Sequence, residues 1–312
     1  MRMLLILKRV GIRLLQTIPL LFGVIIITFI LLSIAPGDPA EILLSTNATP
    51  ENIQAMRQEL GLNDPLLVQL WNFLKGIFTE LDFGFSYQNR QPVITEIFRT
   101  LPLTITLATL GILLSSTVGI FVGVVSAVKQ YSFTDNALRV LVLFLVSMPV
   151  FWLGLVLLYI FASKLGWLPS YGWGTIEQMI LPVVTLSCFP LASITRMTRS
   201  NMLEVLKQDY ICTARAKGLS STSVIFHHAL RNAFIPVVTV IGLQFTILLT
   251  GALLCETIFA LPGLGRLTVS AVFARDYPII RGAIILASLF VTLVNLAVDI
   301  VYSILDPRII MR

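Results

Sequence analysis

Charge is scarce in this chain. Asp, Glu, Lys and Arg make up 12% of its 312 residues, against 56% that are apolar, whereas soluble domains carry about a quarter charged residues. Histidine and cysteine are scarcer still. The two histidines, His227 and His228, are adjacent, and the three cysteines, Cys188, Cys212 and Cys255, have neither pairing nor metal-ligand spacing. Consecutive helical residues point about 100° apart instead of converging on one ion, and no His-Glu-x-x-His occurs. A disulfide framework and a metal centre are therefore not expected. None of the six lysines stands in a G-x-x-x-x-G-K-[ST] run, so the chain lacks that cradle for ATP phosphates. Gly263-Leu264-Gly265 is too short for a dinucleotide fingerprint. An intramembrane enzyme would need a nucleophile with its base, or metal ligands, at membrane depth. The expectation is a non-enzyme without cofactors. The formal charge of +6 is spread over segments that alternate with apolar runs. That is how membrane topology is written, and it does not describe a nucleic-acid surface.

What the chain has is long apolar runs, each able to cross about 30 Å of hydrocarbon. They predict an all-α polytopic membrane protein with six spans, at about 14–34, 101–128, 140–162, 176–194, 234–254 and 282–304. Arg2, Lys8, Arg9 and Arg13 precede the first. Its apolar part is too long for a signal peptide and no small-x-small cleavage site follows, so it reads as an uncleaved span entering from the cytoplasm. Pro36-Gly37-Asp38-Pro39 ends it. Gly111, Gly119 and Gly123 predict close helix approach in the second span. Asp135 to Arg139 lead into the third, which Pro149 interrupts. On this assignment the inner pieces hold fourteen Lys and Arg against four acids, and the outer pieces eight against eleven. The bias favours both termini in the cytoplasm, with residues 305–312 forming a tail.

Residues 40–100 read as ordinary soluble sequence outside the membrane, so that 1–100 form a first region and 101–304 a five-span core. Thr49-Pro50-Glu51 opens a helix ending near Gly61. Asn63-Asp64-Pro65 opens another, with Leu66, Leu67, Leu70, Phe73 and Leu74 on an apolar stripe and Trp71 beside it. Phe83, Gly84, Phe85 and Tyr87 make an aromatic turn.

Between the fourth and fifth spans, residues 196–236 read RMTRSNMLEVLKQDYICTARAKGLSSTSVIFHHALRNAFIP. Two short helices with a glycine between them are expected. Leu203, Leu206, Tyr210 and Ala214 recur at spacings of three and four and should share a face, with Arg199, Lys207, Arg215 and Lys217 on the wetter side. Gly218 stands where a helix C-terminus takes a left-handed residue. Ser220 and Ser221 can cap the next helix, which carries Val224, Ile225, His227, His228 and Leu230. A stiff basic helix–Gly–helix between spans reads as a docking surface.

This run resembles the EAA loop of bacterial ABC importer permeases, and TARAKGLS…HALRNAFIPVVTVIGLQ is most similar to the dipeptide/oligopeptide/nickel branch. Gly218 and Leu230 match the general pattern. Cys212-Thr213-Ala214 stand at Glu-Ala-Ala and Arg231 replaces the usual proline, so no acidic contact is carried over to Cys212. The resemblance implies a type I importer permease of the bacterial inner membrane with an extracytoplasmic helical segment after the first span. It also implies a homologous second permease, one or two ATPase subunits, and an extracytoplasmic solute-binding protein. Tyr210, Thr213, Ala214, Arg215, Ala216, Lys217, Gly218, Leu219, Ser220, Val224, His227 and His228 would form the ATPase-docking surface, and the face bearing Ala214 would pack against the ATPase. The implied cargo is di- or oligopeptides, with glutathione or nickel and other metal chelates as alternatives.

A secondary transporter stays open as a different class. Such proteins place paired ionisable groups inside the bundle, and Asp299 is the single acid well inside an expected span, with Asn295 nearby. Ser147, Gln244, Thr246 and Thr250 are polar span residues that could line a path, or could make helix–helix hydrogen bonds.

Overall fold

The computed structural model describes residues 2–35, 37–44 and 48–305. Pro36 of the expected turn, Asp306, Pro307 and Arg308 of the expected tail, and the side chain of Asp299 lie outside the described residues. Among those described, the chain is helical, with one isolated β-bridge between Phe85 and Pro92. The helices are α1 (Arg2–Ile34), α2 (Pro39–Leu44), α3 (Pro50–Glu59), α4 (Leu66–Glu80), α5 (Val93–Val128), α6 (Phe133–Ser147), α7 (Val150–Leu157), α8 (Ile176–Val205), α9 (Asp209–Ala216), α10 (Ser221–Ser223), α11 (Arg231–Ile258), α12 (Leu264–Ala274) and α13 (Tyr277–Leu305). Two π-helical stretches, Leu158–Lys164 and Val224–Leu230, continue α7 and precede α11.

Five helical stretches are long and apolar enough to cross a membrane: Leu15–Ile34, Val93–Val128, Ile176–Val205, Ser221–Ile258 and Tyr277–Val298. The expected third span is broken. Its halves, Phe133–Ser147 and Val150–Lys164, bend by 100°. The cause is local: a residue before proline is pushed out of the α region, and Met148 is extended, with φ −82° and ψ 130°.

The chain divides into two compact units. One joins Gly11–Thr104 with Pro262–Thr292. In it Thr49 caps α3, its hydroxyl accepting from the Asn52 N–H at 3.3 Å, with Pro50 in the first turn. The apolar stripe expected on α4 is narrower than its sequence. Leu70, Phe73 and Leu74 are half-buried and Ile77 is buried, but Leu66 and Leu67 are exposed with Trp71. They fall in the first turn, ahead of the packed part of the helix. Asp276 anchors the aromatic turn: it accepts from the Ser86 hydroxyl and, at 3.4 Å, from the Gln88 N–H. Between the expected fifth and sixth spans lies α12, which Arg275 ends in a left-handed conformation at φ 54°.

The other unit is built on Ile105–Leu261 with the start of α1 up to Val10 and the chain from Leu293 onward. Here α8 is central, packing against α6, α7 and α11. The small residues of α5 do what their spacing predicts. A Cβ on Gly123 would lie 2.6 Å from Thr198 Cβ and 2.8 Å from the Thr195 carbonyl oxygen, so α5 and α8 touch backbone to side chain. Apolar burial contributes little between helices in lipid, and close packing of this kind carries the association.

Candidate functional site

The docking segment begins as a continuation of α8, which runs eleven residues past the expected end of the fourth span at Ile194. The chain turns at Leu206 to Gln208, and α9 follows. Leu203, Leu206, Tyr210 and Ala214 thus do not lie on one helix face. The helix breaks at residues 206–208, leaving Leu203 and Leu206 half-buried, Tyr210 exposed and Ala214 buried. The expected second helix is a single turn, Ser221–Ser223, that passes without a break through the π stretch into α11.

The punctuation follows the sequence closely. Gly218 has φ +77° with nothing within 4 Å of the Cβ it lacks, so its requirement is conformational. The N–H of Leu219 reaches back to the Ala214 carbonyl at 3.4 Å. The Ser220 hydroxyl accepts from the Ser223 N–H at 3.3 Å.

This elbow has an inner and an outer side. Ile211, Ala214, Val224, Ala229 and Ala233 pack with Val124, Ala127 and Met202 into one buried cluster. Tyr210, Cys212, Thr213, Arg215, Ala216, Lys217, Gly218, Leu219, Ser220 and His227 are exposed, and His228 is half-buried. Ala214 and Val224, expected on the docking surface, are thus parts of the chain's own core. Their small or branched side chains seat the elbow, while Thr213, Arg215 and Lys217 face outward.

Beneath the elbow lies a charge pair that spacing did not single out. Asp135 is fully buried. Arg199 donates to it through Nε at 2.9 Å and Nη2 at 2.8 Å, one to each carboxylate oxygen. The Ser126 hydroxyl and the Tyr131 N–H, the latter at 3.0 Å, complete its partners. Tyr131 is left-handed, at φ 62°, which aims its N–H back at the carboxylate. One carboxylate thereby ties the end of α5, the turn after it and the start of α6 to α8, ten residues before α9. A bidentate Arg–carboxylate pair fixes orientation as well as charge. Sequence reading counted Asp135 as a topology charge and put Arg199 on the wetter side of the docking helix, whereas Arg199 turns inward to a carboxylate 64 residues away in the chain. An open cleft of about 1030 Å³ between α6 and α8 flanks the pair, with Arg139, Arg196 and Lys207 in its lining.

The four polar span residues separate. Thr246 donates to Asn295 Oδ1 at 3.0 Å, tying α11 to α13. Ser147 and Thr250 return their hydroxyls to their own helices, at 2.8 Å to Leu143 O and 3.1 Å to Ile247 O. Gln244 is buried, and its Oε1 has no partner among the described residues. They do not converge on one group.

Comparison with known proteins decides the family. The family described as binding-protein-dependent transport system inner membrane component matches residues 119–311, and its N-terminal membrane-component counterpart matches residues 3–108. The chain belongs to this family of transport permeases. It is 44% identical over 313 residues to a transport system permease protein of Brucella abortus (strain 2308), with 98% of each chain covered. It is 42% identical to the dipeptide transport system permease protein DppB of Alkalihalophilus pseudofirmus, over 95% of this chain and 97% of that one. It is 40% identical to the glutathione transport system permease protein GsiC of Escherichia coli O1:K1 / APEC, again over 95% and 97%. The fold is shared with a subunit in a crystal structure of inward-facing MetNI methionine ABC transporter, at TM-score 0.59 and 18% identity, over 68% of this permease and 97% of that chain. The permease is thus a multi-pass inner-membrane protein of a binding-protein-dependent transport system, and its elbow is the segment that resembles the EAA loop.

Proposed function

We propose that this permease is the membrane-spanning subunit of an ATP-driven importer for short peptides. It works beside a homologous second permease, with six spans and both ends in the cytoplasm. Residues 40–100 then lie on the extracytoplasmic side, where a solute-binding protein delivers the cargo. The observation that carries the proposal is the two-sided elbow at residues 206–220 in a member of this family. Its inner side is locked into the bundle and its outer side is basic and exposed. An ATPase subunit docks on Tyr210, Thr213, Arg215, Lys217 and the turn at Gly218. When the ATPase pair closes on ATP, the two elbows move together and draw α8 and α11 with them. Docking energy becomes a shift in the population of inward- and outward-facing states.

The cleft between α6 and α8 is half of a substrate path that the second permease completes. Glutathione, itself a tripeptide with one unusual linkage, belongs to the same cargo class. Nickel and other metal chelates are the remaining cargo class. The test is uptake of labelled dipeptide by cells lacking the chain and by the same cells complemented with it. Restored dipeptide uptake that unlabelled dipeptide suppresses supports the reading. Complemented cells that recover only nickel accumulation would overturn the peptide assignment.

A further inference from the structure

The unit that joins Gly11–Thr104 with Pro262–Thr292 contains a cavity of about 530 Å³ that the proposed docking and transport roles do not use. Its volume is within the roughly 300–1,000 Å³ of small-molecule pockets. Its walls include Phe73, Phe83, Phe85 and Tyr87, and Arg281 lines it from near the start of α13.

Arg281 is an unusual residue to find there. Its Nε is buried and has no hydrogen-bond partner, and among the described residues no carboxylate forms a salt bridge with it. Its guanidinium carbon lies 5.1 Å from the ring centroid of Phe73 and 5.5 Å from that of Phe29. Aromatic faces attract a cation but leave its donors unmet. The Tyr87 phenol lines the same cavity beside the guanidinium. Burial pushes that phenol up from its ordinary pKa, outweighing the lowering by Arg281, so it stays neutral and does not cancel the charge. The nearby Asp276 is occupied by Ser86, Gln88 and Ile279. A buried, charged and unsatisfied donor is costly unless something fills it.

The rest of the lining restricts what that something is. Glu59, Asp82 and Arg90 also line the cavity and are exposed, so with Arg281 the charged lining is two cations and two acids. A dianion would be drawn to the two cations but repelled by both acids, and it would leave the aromatic wall unused. A zwitterion with an apolar body satisfies the unmet cation, one or both acids and the aromatic wall together.

We propose that this cavity binds a short peptide as a zwitterion, its C-terminal carboxylate on Arg281, its ammonium towards Glu59 and Asp82, and an apolar side chain among Phe73, Phe83 and Phe85. Glu59, Phe73, Asp82, Phe83, Phe85 and Tyr87 belong to the segment proposed above to be extracytoplasmic, Arg281 stands near the start of α13, and the inference rests on the peptide reading. It gives the permease its own checkpoint for a free C-terminus, apart from the solute-binding protein.

The test uses the full chain in nanodiscs without a binding protein. Titration calorimetry is run with Ala-Phe, with its C-terminal amide, with N-acetyl-Ala-Phe and with inorganic phosphate. Ala-Phe should bind at least tenfold more tightly than the amide, and phosphate should bind no better than the amide. Arg281→Gln should lower Ala-Phe affinity at least tenfold and erase the acid-over-amide preference. Glu59→Gln, at an exposed position that folding does not need, should weaken Ala-Phe severalfold and leave N-acetyl-Ala-Phe unchanged. This variant keeps the proposal testable should Arg281→Gln fail to insert. Equal binding of acid and amide, phosphate binding as tight as Ala-Phe, no binding of any peptide, or no effect of Glu59→Gln would each overturn the proposal. Dipeptide uptake by the wild-type importer, measured in parallel, separates the two ideas. Uptake without binding here removes this site alone, and binding here without uptake removes the importer reading.

Discussion

Replacing Arg199 by methionine removes both hydrogen bonds that reach Asp135 from α8, 2.9 and 2.8 Å long, and keeps most of the side-chain volume. The carboxylate left behind is fully buried and retains only the Ser126 hydroxyl and the Tyr131 N–H. Stranding one member of a buried pair costs about 3–5 kcal/mol. The lower end applies here, because the arginine keeps 20% of its side-chain surface exposed and the site is therefore shallow. The opposite change, Asp135→Asn, strands a cation that can reach water and leaves an amide able to keep some of the same contacts. It should cost about 1.5–3 kcal/mol, the scale of a lost hydrogen bond to a charged group. The double variant strands neither charge and should be more stable than Arg199→Met alone, a coupling within the roughly 0.5–3 kcal/mol seen for groups in direct contact. Equilibrium unfolding in bicelles, followed by tryptophan fluorescence, measures all three. Arg199→Met within about 0.5 kcal/mol of wild type, the range of ordinary surface substitutions, would refute the reasoning. So would a double variant whose loss equals the sum of the single losses.

Other outcomes follow from the same geometry. Gly218→Val forces a branched residue to φ +77°, a strain of about 1–3 kcal/mol. ATP-dependent uptake should fall well below half while membrane insertion, scored by immunoblot, is unchanged, and Gly218→Asn should keep most of the activity because asparagine tolerates the left-handed region. Ala214→Trp and Thr213→Trp should fail differently. The first overfills the cluster around Met202 and Ile211 and should lower stability by about 1–3 kcal/mol, whereas the second, on the exposed side, should leave thermal stability alone and weaken ATPase co-purification. Gly123→Ala places a methyl 2.6 Å from Thr198 Cβ and should destabilise by about 1–3 kcal/mol as helices α5 and α8 separate, read by the same unfolding assay.

Local signals were legible in the residues, and pairings across the chain were not. Thr49, Gly218 and Ser220 act where their side chains or backbone freedom predict, because capping and left-handed turns are settled within four residues. The apolar runs placed most of the spans, but not the full length of α8. A helix does not stop where hydrophobicity ends, and Arg196 to Val205 stay helical because the contacts of Thr198 and Met202 in the bundle hold them. The break at residues 206–208 was hidden because Leu203, Leu206, Tyr210 and Ala214 keep helical spacing across it. The inward face of Ala214 was missed for a related reason. Alanine suits a partner interface and an internal one equally, and only the position of Val124, Met202 and Val224 distinguishes them. Asp135 with Arg199, and Arg281 with Phe29, Phe73 and Tyr87, unite residues distant in sequence. No periodicity links them.

The most direct test of a permease driven from its elbow is solute accumulation in proteoliposomes, with this chain reconstituted either alone or with its partner permease, binding protein and ATPase subunits. Dipeptide should concentrate only in the complete set, only with ATP, and to well below half the wild-type level when the ATPase is paired with the Gly218→Val chain. Concentration of dipeptide against a gradient by the chain alone, without any nucleotide hydrolase, would contradict the proposal.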